Sequence, residues 1–109
     1  VIEARAASRE GMDVIVNRTE DWSGRLKNYL AGHQVLSMNR QSSARKLGLI
    51  AHGKFDMYPR FGPTFEWDIA AGDAILRAAG GSVKTMDGAD LTYGKPTFKN
   101  PPFIARGKM

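Results

Sequence analysis

Asp68 is the carboxylate in this sequence best placed for chemistry. It falls in the first turn of the most regular helical stretch, beside Trp67 and just after the turn at Gly62-Pro63. Two roles suit an acid there. With Glu66 it can be an anion at a helix N-terminus, where the dipole favours negative charge by about 0.3–1 kcal/mol. Alternatively it points out of the helix start as an oxygen ligand at a metal or phosphate site. Magnesium takes octahedral oxygen coordination, which a single carboxylate does not supply. Asp56, Asp73, Asp87 and Asp90 stand at no partnering spacing and read as surface or turn residues. A metal at Asp68 would draw its other ligands from another part of the protein.

Ser43 and Lys46 stand three apart at the start of a second helix, which puts them on one face. A serine cap with a solvated lysine satisfies that pattern, and so does an anion cradle of free N–H groups and one point charge. Arg60 follows a strand and precedes a turn; it is either a surface arginine or a bidentate phosphate contact. His33 and His52 have no ligand-like spacing and read as structural or exposed. Asp87-Gly88-Ala89-Asp90 lacks the rest of a calcium loop and reads as a turn. No P-loop, dinucleotide fingerprint or nucleophile elbow is present.

The elements that must position these residues alternate between strand and helix. Val14-Ile15-Val16 is a buried strand between Gly11 and Asn17. Trp22, Leu26, Tyr29 and Leu30 recur at helical spacing behind a cap at Asp21, with Gly32 as the stop. Residues 34–38 read as a strand. Leu47, Ile50 and Ala51 give the next helix an apolar face, closed by Gly53. Residues 55–58 read as a strand stopped by Pro59. The spacing then predicts a helix over 65–79 with two apolar faces, one of Trp67, Ala71, Ala74, Ile75 and Ala78, the other of Ile69, Gly72, Leu76 and Ala79. Such a helix is expected to lie buried between layers. Gly80-Gly81 caps it, residues 82–85 form a strand, Asp87-Gly88 a turn, and the tail one or two short strands. The fold class is α/β, a layered sandwich of a mixed β-sheet flanked by helices, in one domain over residues 1–109.

Composition narrows the partners. The 109 residues are 42% hydrophobic and 25% charged, within the globular range. The absence of cysteine removes disulfides, thiolate nucleophiles and cysteine-bound zinc, and fits a cytoplasmic location. No apolar run approaches a membrane span. The net charge of +5 is scattered, densest at Arg40, Arg45 and Lys46, with no basic stripe interleaved with aromatics. Neither a nucleic acid nor a membrane is expected as partner.

Trp67-Asp68-Ile69-Ala70-Ala71-Gly72 with Ala79-Gly80-Gly81 resembles the second signature of the inositol monophosphatase superfamily, W-D-x-A-A-G followed by A-G-G. Tyr58-Pro59-Arg60-Phe61-Gly62-Pro63-Thr64 resembles the Y-P-R-x-G-P-T segment of the CysQ-type 3′(2′),5′-bisphosphate nucleotidases within it. The resemblance implies the C-terminal half of that family's layered fold. It implies that Asp68 binds Mg2+ and that Ser43, Lys46 and Arg60 contact a small phosphorylated substrate. The implied reaction is hydrolysis of the 3′-phosphate of adenosine 3′,5′-bisphosphate to AMP. An inositol-1-phosphate or other sugar-phosphate phosphatase is the second reading, and a non-catalytic anion- or partner-binding domain the third.

The family's D-P-x-D-G-T signature and upstream metal-binding glutamate are absent from these residues. The resemblance therefore implies a partner, the N-terminal half of the same protein, without which this chain is expected to be inactive and to self-associate. Asn17-Arg18-Thr19-Glu20 replaces the nucleotidase S-R-S-H, and Ser42-Ser43-Ala44 replaces G-S-S. These changes bear on the substrate and leave the superfamily resemblance intact.

Overall fold

Three consecutive β-branched side chains, Val14, Ile15 and Val16, are fully buried, and they define the centre of the molecule. The computed structural model describes residues 3–6, 11–17, 26–41, 46–61 and 64–108. The strand around the apolar run is β1 (Met12–Asn17), followed by helix α1 (Lys27–Leu30), strand β2 (Val35–Gln41), helix α2 (Lys46–Ala51) and strand β3 (Met57–Arg60). The short strand β4 (Thr64–Phe65) leads into helix α3 (Glu66–Ala78), then β5 (Ser82–Thr85), β6 (Lys99–Asn100) and β7 (Phe103–Arg106).

The main sheet has the order β2-β1-β3-β7-β5. β1 runs parallel to both β2 and β3, while β7 is antiparallel to β3 and β5, so the sheet is mixed as expected. β4 and β6 pair separately as a small antiparallel ribbon. Strand alternation divides the core into two layers. Ile15, Tyr58, Val83, Phe103 and Ala105 face one side, where they meet Leu47 and Ile50 of α2 and Ile69 and Leu76 of α3. Met12, Val14, Val16, Met57 and Ile104 face the other, against Leu26 and Leu30. The chain steps from β1 out to β2 with α1 on one face. It returns across β1 to β3 with α2 on the opposite face, as right-handed crossovers require.

The helix α3 ends where two glycines permit it. Gly80 has φ +97°, its N–H bonds to the Arg77 carbonyl, and the Gly81 N–H reaches back to the Leu76 carbonyl, a Schellman closure. Gly53, at φ +76°, follows α2 in the same way. Three expectations need correction. Pro59 does not stop β3 but lies within it, opposite Ile104. Its missing N–H is tolerated because β3 pairs with β1 only at Met57, so the ladder on that edge has ended before the ring. The helix α3 is not covered on both sides. Ile69, Leu76 and Ala79 are buried, whereas Trp67, Ala71, Ala74, Ile75 and Ala78 are exposed. Asp56 and Asp73 are not surface residues, because both are buried in ion pairs. The expected start of the first helix at Asp21 lies outside the described residues.

Candidate functional site

Tyr58 and Arg60 are two apart on β3 and Ile15 and Asn17 two apart on β1, so all four address the α2 side of the sheet. Both strands are parallel and both end here, at the kind of crevice beyond strand C-termini where open α/β sheets bind ligands. Lys46, the first residue of α2, reaches into that crevice and is only 4% exposed. Its Nζ donates to Asn17 Oδ1 at 3.3 Å and lies 5.3 Å from the centre of the Tyr58 ring. Burial, reinforced by the neighbouring charge of Arg60, holds the Lys46 ammonium below the usual lysine pKa. A buried cation held next to a second cation is relieved by an anion, and that is the chemistry the pair offers.

The sequence-predicted Lys46 and Arg60 are thus brought together. Ser43 lies outside the described residues. Asp68 sits in the first turn of α3, exposed, and its Oδ2 accepts the Phe65 N–H at 2.8 Å. Phe65 is extended (φ −115°, ψ 161°) and has no side-chain acceptor, so the side-chain part of this cap comes from Asp68. Its Oδ1 makes no hydrogen bond among the described residues. The place at a helix N-terminus read from the sequence holds, and the cap the structure adds there occupies one oxygen, leaving the other for a ligand.

Packing ties Asp68 to the cation pair. Asp68 and Gly72 lie one turn apart on the same face of α3. A Cβ on Gly72 would fall 2.8 Å from the Leu47 side chain, so the two helices touch there at the minimum separation. Leu47 immediately follows Lys46. The glycine of the W-D-x-A-A-G run therefore sets how closely the middle of α3, one turn beyond Asp68, approaches the start of α2. As a metal arm, Asp68 fits in part: it offers one hard oxygen at an open helix start, suited to Mg2+. Among the described residues no group of three or more His, Cys, Asp or Glu gathers to hold a metal ion.

Sequence reasoning missed the roles of three buried acids. Glu66 is buried; it accepts the Gly94 N–H at 2.8 Å and the Lys95 N–H at 3.0 Å, and pairs with Lys95 Nζ at 2.9 Å. The Gly94 N–H and then Lys95 hold its pKa at about 2. Asp73 accepts from Arg77 Nε at 2.8 Å and from the Tyr93 hydroxyl. Together they fasten residues 91–98 against α3. Asp56, at the opposite end of the sheet, joins Arg5 Nε at 2.9 Å and the Asp13 N–H at 2.7 Å. Arg5 also reaches Asp13 at 2.6 Å, and Ser37 donates to Asp13 at 2.6 Å. Asp73 and Arg77 stand at the i,i+4 spacing of a helical ion pair, a signal the sequence held, whereas the partners of Glu66 and Asp56 lie far away in sequence, where spacing carried none.

Beside Asp68 the surface is apolar. Phe65 (37% exposed) and Trp67 (67%) stack with ring centres 4.8 Å apart, and Phe98 (49%) lies 6.3 Å from Trp67. Phe98 adopts φ +57°, an uncommon state for a large side chain, pinned by the Glu66 N–H on its carbonyl at 2.8 Å. Among the described residues no helix is long and apolar enough to cross a membrane.

Known proteins share this arrangement. The Inositol monophosphatase family description matches residues 5–106. The chain is 51% identical over 86 residues to a Rhizobium leguminosarum bv. phaseoli protein described as "Uncharacterized protein in pss 5'region", a match covering 73% of this chain and 90% of that one. It is 45% identical over 83 residues to the 3'(2'),5'-bisphosphate nucleotidase CysQ of Buchnera aphidicola, covering 73% of this chain and 31% of that enzyme. The crystal structure of CysQ from Bacteroides thetaiotaomicron superposes with a TM-score of 0.79 at 37% identity, covering 96% of this chain and 40% of that one. The chain thus spans less than half the length of these nucleotidases and corresponds to their C-terminal half. A match over residues 5–106 takes in the sheet, the cation pair and the helix that carries Asp68, and the chain belongs to the inositol monophosphatase family.

Proposed function

We propose that this chain is the C-terminal half of a Mg2+-dependent phosphatase that removes the 3′-phosphate of adenosine 3′,5′-bisphosphate, leaving AMP. The observation that carries the reading is the buried Lys46 beside Arg60 at the strand ends, an anion clamp within reach of the helix that bears Asp68. Lys46 and Arg60 bind and orient a phosphate that is not cleaved, and Ser43 joins them. Tyr58 and Asn17 hold the Lys46 ammonium in place. Asp68 donates one oxygen to the metal, while its second oxygen keeps the helix start closed. When bound, Mg2+ polarises phosphoryl oxygens and activates a water.

The remaining metal ligands and the water-positioning groups belong, on this reading, to an N-terminal half outside this chain. The exposed apolar face of α3 and the Phe65–Trp67–Phe98 cluster support it, since contiguous apolar surface of this kind marks an interaction site. The chain alone would then be inactive. Preference for a bisphosphate over a simple sugar phosphate follows from the clamp, which is built for a second anion. An inositol-phosphate phosphatase is the other reading, favoured by Glu20 standing where the nucleotidases carry a histidine.

Phosphate release by the full-length protein with Mg2+ separates them. Adenosine 3′,5′-bisphosphate is expected to be turned over in preference to inositol 1-phosphate. Preference for the inositol phosphate would move the substrate to the second reading, and turnover of neither would contradict the catalytic one.

A further inference from the structure

The face of the sheet opposite α2 and α3 is covered by α1 over β1 and β3, but β7 and β5 extend beyond that helix. A concavity of about 530 Å³ lies there, walled by Tyr29 of α1, by Ser82 and Lys84 of β5, by Ile104 and Arg106 of β7, and by Met86. That volume is ordinary for a small-molecule site. Strand register explains its chemistry. Ser82 pairs with Arg106 and Lys84 with Ile104, so the two cations are diagonal neighbours on one face.

Little acid opposes them. The Arg106 guanidinium is half-buried, and its side-chain hydrogen bond among the described residues is a 3.9 Å contact to the Met12 sulfur, a weak acceptor. The Lys84 ammonium has Asp90 at 3.9 Å, an acid that is itself 66% exposed. Like charges held on adjacent strands with weak counter-charges favour an anion between them. Ile104, Met86 and the Tyr29 ring supply an apolar wall beside that charge. The location differs from the Lys46–Arg60 clamp in both face and end. Arg106 pairs with Met57 at the beginning of β3, and Arg60 is at its end on the other side of the sheet.

We propose that this concavity is a second ligand site, taking a small organic anion whose acidic head lies between Lys84 and Arg106 and whose apolar or aromatic body rests on Ile104, Met86 and Tyr29. Phenylphosphonate, whose C–P bond a phosphatase does not hydrolyse, is the probe, with inorganic phosphate beside it. Both are titrated into the isotope-labelled full-length protein and followed by amide chemical shifts.

Phenylphosphonate is expected to shift the amides of residues 82–86 and 104–107 saturably, and more tightly than phosphate. Lys46→Met should leave that binding intact. Lys84→Met, an exposed change that leaves the fold alone, should weaken it roughly tenfold or more, the scale of a charge-assisted contact. Arg106→Met should do the same where its spectrum shows a folded protein. No saturable shift in those segments, shifts confined to the Lys46–Arg60 end, or unchanged affinity in Lys84→Met would each overturn the proposal. Phosphate binding as tightly as phenylphosphonate would overturn the organic part of it.

Discussion

At the scale of the residue, position relative to charge separates the proposed anion clamp from the acids that hold the fold together. Lys46 is buried at a helix start next to a second cation, Arg60, whereas Glu66 and Asp56 are each enclosed by donors. Replacing Lys46 with Met should therefore leave the fold standing and raise the KM for a bisphosphate substrate by roughly tenfold to a hundredfold, as loss of a charged hydrogen bond implies. Steady-state kinetics on the full-length protein check this. Glu66 answers to pH instead. Its pKa falls from an ordinary 4.5 to about 2 in the fold, so its contribution is complete above 4.5 and is lost as pH falls toward 2. Hydrogen exchange at the Gly94 and Lys95 amides should accelerate, relative to the sheet, over that window, and Glu66→Gln should show the faster exchange already at neutral pH. The places of Asp68, Lys46 and Arg60 at a helix start or strand end were legible from residue type and spacing, while the roles proposed for them came from the family resemblance. The roles of Glu66 and Asp56 were not legible, because each is fixed by partners that only the folded chain brings near, and Asp73 was half legible, through Arg77 one turn on but not through Tyr93.

Most of the secondary elements follow from local rules. β1 is a β-branched run, α2 and α3 have helical apolar spacing, and Gly53, Gly80 and Gly88 all take the positive φ that a glycine stop or turn needs. Pro59 was misread because a proline forbids a strand only where its N–H is required, and that depends on which neighbour the edge has. Gly72 carries the tightest constraint between elements. Gly72→Ala would drive a methyl group to 2.8 Å from Leu47 Cβ and Cδ1, close to a part of the side chain that cannot swing away. We expect a loss of about 1–3 kcal/mol, the range for overpacking, measured by denaturant unfolding of the full-length protein. Because Leu47 adjoins Lys46, the KM for substrate should rise in the folded variant as well. The pin at the other end of the sheet is independent. Arg5→Ala leaves the buried Asp56 without its cation, and a loss of about 1–3 kcal/mol is expected, discounted for the partial exposure of Arg5.

Across the whole molecule, the sheet is protected on its α2/α3 side, but α3 turns a second apolar surface outward. The sequence showed both apolar faces of α3, and the outward one is the surface that the N-terminal half is expected to cover. Trp67, Ile75, Phe65 and Phe98 are exposed in this chain, which spans less than half of the CysQ enzymes it matches. The isolated chain should consequently self-associate, and Trp67→Gln with Ile75→Gln should reduce that association in sedimentation experiments without disturbing the buried side of α3. We propose a division of labour between one arm for a metal at Asp68 and one clamp for an anion at Lys46 and Arg60, both completed by residues from outside this chain. The most direct test measures phosphate release from adenosine 3′,5′-bisphosphate by the full-length protein while Mg2+ and substrate are varied independently. Asp68→Asn is expected to raise the Mg2+ concentration needed for half-maximal rate or to abolish turnover, while Lys46→Met raises the substrate KM and leaves the Mg2+ dependence where it was. An Asp68→Asn enzyme with an unchanged Mg2+ requirement, or a Lys46→Met enzyme with an unchanged KM, would contradict that division of labour.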